Sequence, residues 1–175
     1  MAGRPFRYWS LPVAQTNAYE HLYDLVKDFR TAMLVTKDAG GKLHARPMSV
    51  AEWRADADAY FATSIASPKM AEIETDPEVL ISFQSGSQFA SISGTARIVR
   101  DRAVIHRLWS DAWLAWFPAG KDDPSLCLLK FEAREGEYWD NSGLKGVRYL
   151  FDGVKAVLQG EKHDVHAGQH GKVRL

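Results

Sequence analysis

The sequence predicts a mainly β fold: a six-stranded antiparallel barrel with helices inserted between its strands. Two observations carry this expectation. β-prone runs of alternating character recur in hairpin pairs joined by glycine-bearing turns, and between them lie stretches whose apolar residues return every three or four positions. A chain of 175 residues, 46% of them apolar, is long enough to bury one core, and no repeat or low-complexity segment breaks it up. One domain over residues 1–158 is expected, with the barrel at 18–141, a C-terminal helix at 144–158 and a polar, mobile tail at 159–175.

In chain order, Asn17 followed by Glu20 has the spacing of a helix capping box, and Tyr19, Leu22, Leu25, Val26 and Phe29 recur behind it at helical spacing, predicting a helix over 18–30. The run TAMLVTKDAGGKLHARPMSVAEW holds two β-prone stretches around Asp38-Ala39-Gly40-Gly41, whose glycines tolerate the positive φ of a tight hairpin. AYFAT gives a third strand. Ser67 and Pro68 then suit the cap and first turn of a helix ending near Asp76-Pro77. EVLISFQSG alternates Val79, Ile81 and Phe83 with polar neighbours, and a long strand after Gly86 puts Ala90, Ile92, Gly94, Ala96 and Ile98 on one face. Ile105, Leu108, Ala112, Ala115 and Trp116 predict a helix that stops before Pro118, and SLCLLKFEAREGEYWD supplies the last strand.

Acidic and basic residues balance at 22 each, so no overall field draws the chain to nucleic acid or an anionic membrane. No apolar run reaches membrane-spanning length, and MAGRPFRYWSLP lacks the apolar stretch of a signal peptide. A cytoplasmic protein is expected. Cys127, the single cysteine, sits in SLCLLKF as a small buried apolar residue.

The stretch ATSIASPKMAEI, 62–73, places hydroxyls and a lysine where a strand gives way to a helix. The amides of a helix start lack intrahelical partners and favour negative charge; Thr63, Ser64 and Ser67 add donors and Lys69 a cation, a set that suits a phosphate group. Taken alone, Ser67 and Pro68 read more readily as ordinary capping residues and Lys69 as a solvated surface lysine; the phosphate reading gains weight from the neighbouring segments. In LHARPMSV, 43–50, proline cannot donate to a sheet ladder, so Arg46-Pro47-Met48-Ser49 reads as an edge or bulge with backbone left to bond a planar heteroaromatic ring, or as a plain edge strand.

Taken as an ordered series, ARPMS, YFATS, SPKMAEI, EVLISF, SQFASISGTARIV and EYWD resemble the flavin-binding split-barrel superfamily typified by pyridoxamine 5'-phosphate oxidase. AWFPAGKDDPSL, YLFDGVKAVLQG and the final HGKV are similar to its general stress protein 26-type branch. The resemblance covers residues 18–175. It implies an FMN-binding split barrel, with FAD as a variant cofactor, that forms a homodimer with the flavin between protomers. Carried over, Arg46, Pro47, Met48 and Ser49 run along the isoalloxazine ring, Thr63 and Ser64 lie near the ribityl chain, Ser67 and Lys69 hold the phosphate, and Gln88 and Trp139 line the same cleft. The implied activity is that of a flavin-dependent oxidoreductase with a small-molecule redox partner such as NAD(P)H; the alternative is a non-catalytic flavin-sequestering or sensing stress protein, and haem or a deazaflavin are the other ligands of this fold.

Two departures bear on activity. The oxidases carry Ser-Arg-Lys where this chain has Ser67-Pro68-Lys69, which removes one phosphate cation. They also follow the tryptophan with an Arg and a His that grip the vitamin phosphate, where Trp139 is followed by Asp140-Asn141-Ser142-Gly143-Leu144. Pyridoxamine phosphate oxidation is therefore not expected. Elsewhere, Asp122 and Asp123 read as a turn, His106 as a structural histidine, and His163, His166 and His170 as solvated tail residues without a metal. Trp116 is the candidate for a substrate-pocket wall.

Overall fold

The computed structural model describes residues 13–54, 58–140 and 170–175, with side chains from Glu20 onward. A helix α1 (Val13–Val26) precedes strands β1 (Thr31–Lys37), β2 (Leu43–Trp53) and β3 (Ala59–Ser64). Helix α2 (Lys69–Thr75) leads into β4 (Glu78–Ser85) and β5 (Gln88–Val99), and helix α3 (Arg102–Leu108) precedes β6 (Leu126–Asp140) and β7 (His170–Arg174). The sheet runs β3-β2-β1-β4-β5-β6-β7, all antiparallel, and a β3–β6 pairing closes the first six strands into a barrel. The expected six-stranded antiparallel split barrel is the fold of the chain, with β7 added outside it.

Closure depends on the length of β6. Its first part, from Leu126 to Phe131, pairs with β3, its last part, from Glu135 to Trp139, pairs with β7, and β5 lies along it from Leu128 to Asp140. The alternating positions of the strands fill the interior: Leu34, Phe61, Ile81, Ile92, Leu129 and Phe131 are at most 1% exposed, and Leu22 and Val26 of α1 join the same buried cluster. Cys127 belongs to this core. Two glycines matter to the sheet. Gly41 adopts φ 81° in the β1–β2 hairpin, where Asp38 Oδ1 accepts from the Gly40 and Lys42 amides. At Gly94 the β5–β6 register shifts, and a Cβ there would lie 2.1 Å from the Glu132 carbonyl oxygen.

Pro47 is accommodated as an edge residue. β2 meets β3 only from Val50 to Trp53, so residues 43–49 pair with β1 alone among the described residues, and the other side of that stretch carries no strand.

Four expectations are corrected. The first helix is Val13–Val26, not 18–30, so Asn17 lies inside it; after Val26 the chain turns, and Phe29 packs on Phe83 from beyond the helix. The single helix expected before Pro118 is α3 followed, after extended Trp109 and Ser110, by a 3-10 turn at Asp111–Ala115. A continuous helix would have presented Leu108, Ala112 and Trp116 to the core; the break instead buries Trp113 and Phe117, larger apolar surfaces, in a second cluster with Ile105, Tyr60, Leu126 and Leu128. Ser67 does not cap α2: Pro68 holds that position and no side chain caps the helix. The end of the tail, expected to be mobile, is β7, because Val173 is an apolar side chain 1% exposed at the side of β6. The helix expected at 144–158 lies outside the described residues. No described helix is long and apolar enough to cross a membrane.

Candidate functional site

The β3–α2 junction buries a lysine. Lys69 is 9% exposed, and its ammonium donates to Thr63 Oγ1 at 2.9 Å and Ser67 Oγ at 2.6 Å. Both acceptors are neutral, and no carboxylate among the described residues forms an ion pair with it. Burial, and then the nearby Arg46 guanidinium, lowers the Lys69 pKa from its ordinary 10.5. A buried cation with only hydroxyl partners is an arrangement that an anion would complete.

The adjoining wall is charged but internally balanced. Arg46 Nη2 donates to Glu72 Oε2 at 2.8 Å, Arg46 Nη1 donates to Thr36 Oγ1, and Thr36 Oγ1 donates to the same Glu72 oxygen at 2.5 Å. Thr36 and Arg46 share the inward face where β1 and β2 pair, and Glu72 stands one helical turn after Lys69 on α2, so one short helix carries both charges into the pocket. Burial works to raise the Glu72 carboxyl, but the Thr36 hydroxyl and Arg46 outweigh it and hold its pKa below the ordinary 4.5.

The backbone contributes less than the sequence promised. The amides of Ile65, Ala66, Ser67 and Met70 donate to Ser125 O, Ser64 Oγ, Ser64 O and Ser67 O, and Pro68 has none, so the pocket's donors are chiefly side chains. The Ser67 hydroxyl is spent on Lys69 instead of a helix amide.

The structure therefore brings together Arg46, Thr63, Ser64, Ser67 and Lys69, with exposed Pro47 and Ser49 on the open side of β2 and Met48 turned into the core. Gln88 and Trp139 it does not bring to them. Thr63 pairs with Cys127 at one end of β6 while Gln88 pairs with Asp140 at the other, on the order of 40 Å away along the strand. At that far end Asp140 takes Gln88 Nε2 at 3.2 Å and His21 Nε2 at 3.0 Å, and Trp139 stacks on His170 with centroids 5.0 Å apart. Trp116 is 70% exposed on the 3-10 turn. His106 Nε2 lies 2.7 Å from Asp122 Oδ1, and Asp123 is buried in the turn where it accepts from the Ser125 amide and hydroxyl. His170 stands in β7 within 2.7 Å of Glu137; His163 and His166 lie outside the described residues. Glu72 and Thr36 were missed by sequence reasoning, although the three-residue spacing from Lys69 to Glu72 on a helix was the available signal.

The chain is a closed split barrel with a buried lysine and hydroxyls at the β3–α2 junction. The family model described as pyridoxamine 5'-phosphate oxidase like matches residues 17–164, and the chain belongs to that family. Among solved structures, the general stress FMN/FAD binding protein of Xanthomonas citri is 34% identical, with a TM-score of 0.62 over 73% of this chain and 91% of that one. A protein described as a general stress protein 26 of Jannaschia sp. CCS1 is 28% identical, with a TM-score of 0.67 over 92% and 99%. Protein bli-3 of Neurospora crassa is 29% identical over 119 residues, 61% of this chain; the match spans 57% of that relative's length.

Proposed function

We propose that this protein binds FMN, with FAD as the variant cofactor, and acts as a flavin-dependent oxidoreductase of the general stress protein type. The observation that carries the reading is the Lys69 pocket. A phosphate supplies what the buried ammonium lacks, a full negative charge with several acceptor oxygens, and the Thr63 and Ser67 hydroxyls sit where they can turn from accepting to donating. The residues present thus fit the phosphate end of a flavin nucleotide. The 34% identity to a protein named for FMN/FAD binding supports the same assignment.

The flavin, when bound, supplies hydride and electron transfer. The chain's own residues bind and orient it. In this reading Lys69, Ser67 and Thr63 anchor the phosphate, Ser64 lies near the ribityl chain, and the open side of Arg46–Ser49 borders the ring. Arg46, held by Glu72 and Thr36, contributes fixed positive charge where the reduced ring gains negative charge, a contribution that needs no rearrangement during the reaction. Gln88 and Trp139 reach the ring from a second copy of the chain, so the working form is a homodimer; the redox partner is NAD(P)H or another small molecule, and the location is cytoplasmic.

A second reading, a flavin-sequestering or sensing protein without turnover, is favoured by Asp140. The position after Trp139 is tied to His21 and Gln88 and offers no cation to a substrate phosphate. The absorption spectrum of freshly purified protein, with mass analysis of the released chromophore, tests flavin binding. Anaerobic mixing with NADH or NADPH then separates the readings: rapid bleaching supports the enzyme, and a flavin that stays oxidised supports the binder. Protein that takes up neither FMN nor FAD overturns both.

A further inference from the structure

Resting on the phosphate role of Lys69, a further inference concerns Glu72: we propose that this carboxylate sets the net charge of the pocket and so controls how strongly it distinguishes a phosphate-bearing flavin from one without phosphate. Two cations and one carboxylate meet there. Arg46 is matched by Glu72 through the 2.8 Å bond, and Thr36 locks the pair by donating to Glu72 and accepting from Arg46. Among the described residues no carboxylate pairs with Lys69.

The two clusters form one electrostatic unit. Arg46 acts on Lys69 to lower its pKa and Glu72 acts to raise it, which places both within charge–charge reach of the ammonium. The Arg46 and Glu72 side chains are 23% and 11% exposed, so water screens these interactions less than it does at a surface. As built, the pocket offers one net positive charge to a group that carries nearly two negative ones. Glu72 thus acts as a positioning residue for Arg46 and as a limit on anion affinity at the same time, and α2 couples the two roles by carrying both Lys69 and Glu72.

The test is fluorescence titration of the full-length protein with FMN and with riboflavin, which share the ring but not the phosphate. Glu72→Gln keeps an oxygen for Thr36 and Arg46 while removing the charge; it is expected to raise the ratio of FMN to riboflavin affinity about tenfold, the scale of one added charge in a partly buried site. Arg46→Gln leaves Glu72 uncompensated and is expected to lower that ratio, with riboflavin as the control for lost ring contacts. Opposite shifts in the two variants are the signature of charge; if Glu72 is only a structural tie, both lose affinity for the two ligands alike and the ratio stays put, which overturns the proposal. If Glu72→Gln fails to fold, the direction of the Arg46→Gln ratio decides alone. Lys69→Ala in the same assay separates this inference from the reading beneath it: an unchanged ratio there removes the phosphate role of Lys69, whereas a collapsed ratio with unmoved Glu72→Gln removes only the role of Glu72. Should neither flavin bind the wild type, the thermal shift in added inorganic phosphate is compared across the same variants, with a larger shift for Glu72→Gln expected and an equal one contrary.

Discussion

Lys69 is costly to the ligand-free fold. Its pKa is lowered on folding, so the unfolded chain binds that proton more readily; the penalty for the buried charge is fully present below the folded pKa, and stability rises with pH from there to 10.5. Glu72 has the opposite linkage. Its folded pKa lies below 4.5, so its contribution is present above that value and is lost as the pH falls through the folded one. Replacing the lysine with an apolar side chain of similar length removes the cost, and Lys69→Met is expected to stabilise the ligand-free protein by about 1–3 kcal/mol, the scale seen when buried ions give way to well-packed apolar groups. Urea denaturation at pH 7 measures it, and a lower midpoint would show that the ammonium is already well solvated. At this scale the sequence disclosed the participants but not their bonds. The cation and hydroxyls of ATSIASPKMAEI were legible as a set; that Ser67 would bond Lys69 instead of capping α2 depends on a loop whose amides are consumed locally, which no spacing rule reports.

Elements divide by how strongly burial enforces their period. The barrel strands were readable because their inner faces carry most of the core, and a slip of one residue would expose Ile81, Ile92 or Phe131. Helices were less so. The stretch after Asp101 has two competing apolar registers, and the one that buries Trp113 and Phe117 prevails only because Tyr60 and Leu126 of the barrel wall are there to receive them. β7 was invisible for a similar reason: HGKVR is polar except for Val173, and its pairing partner lies far away in β6. Gly94 shows a sequence feature whose meaning only the sheet reveals. A methyl group there would collide with the Glu132 carbonyl and the Phe131 ring, so Gly94→Ala is expected to cost about 1–3 kcal/mol. Thermal or chemical unfolding checks this, and a neutral substitution would mean that the register shift relaxes freely.

For the whole molecule, the decisive fact is that β6 is long enough to serve two ends of the barrel. It joins β3 beside the Lys69 pocket and ends in Trp139 and Asp140 far from it, so one chain holds two separated halves of the cleft implied by the family resemblance. The sequence listed both halves without telling that they part. The proposed homodimer would reunite them, and a mixed dimer tests this: Lys69→Ala and Trp139→Ala protomers, each defective alone, are expected to form one intact flavin site per heterodimer when co-expressed and purified with two different tags. No recovered site would mean that both residues serve the same protomer's ligand or none.

The claim beneath all of this is that a buried lysine at the β3–α2 junction holds the phosphate of the cofactor. The dissociation constant for FMN in Lys69→Ala, set against the wild type at the same ionic strength, tests it most directly. A weakening of about 1–3 kcal/mol, the scale of a hydrogen bond to a charged group, is the predicted result; an unchanged constant contradicts the account.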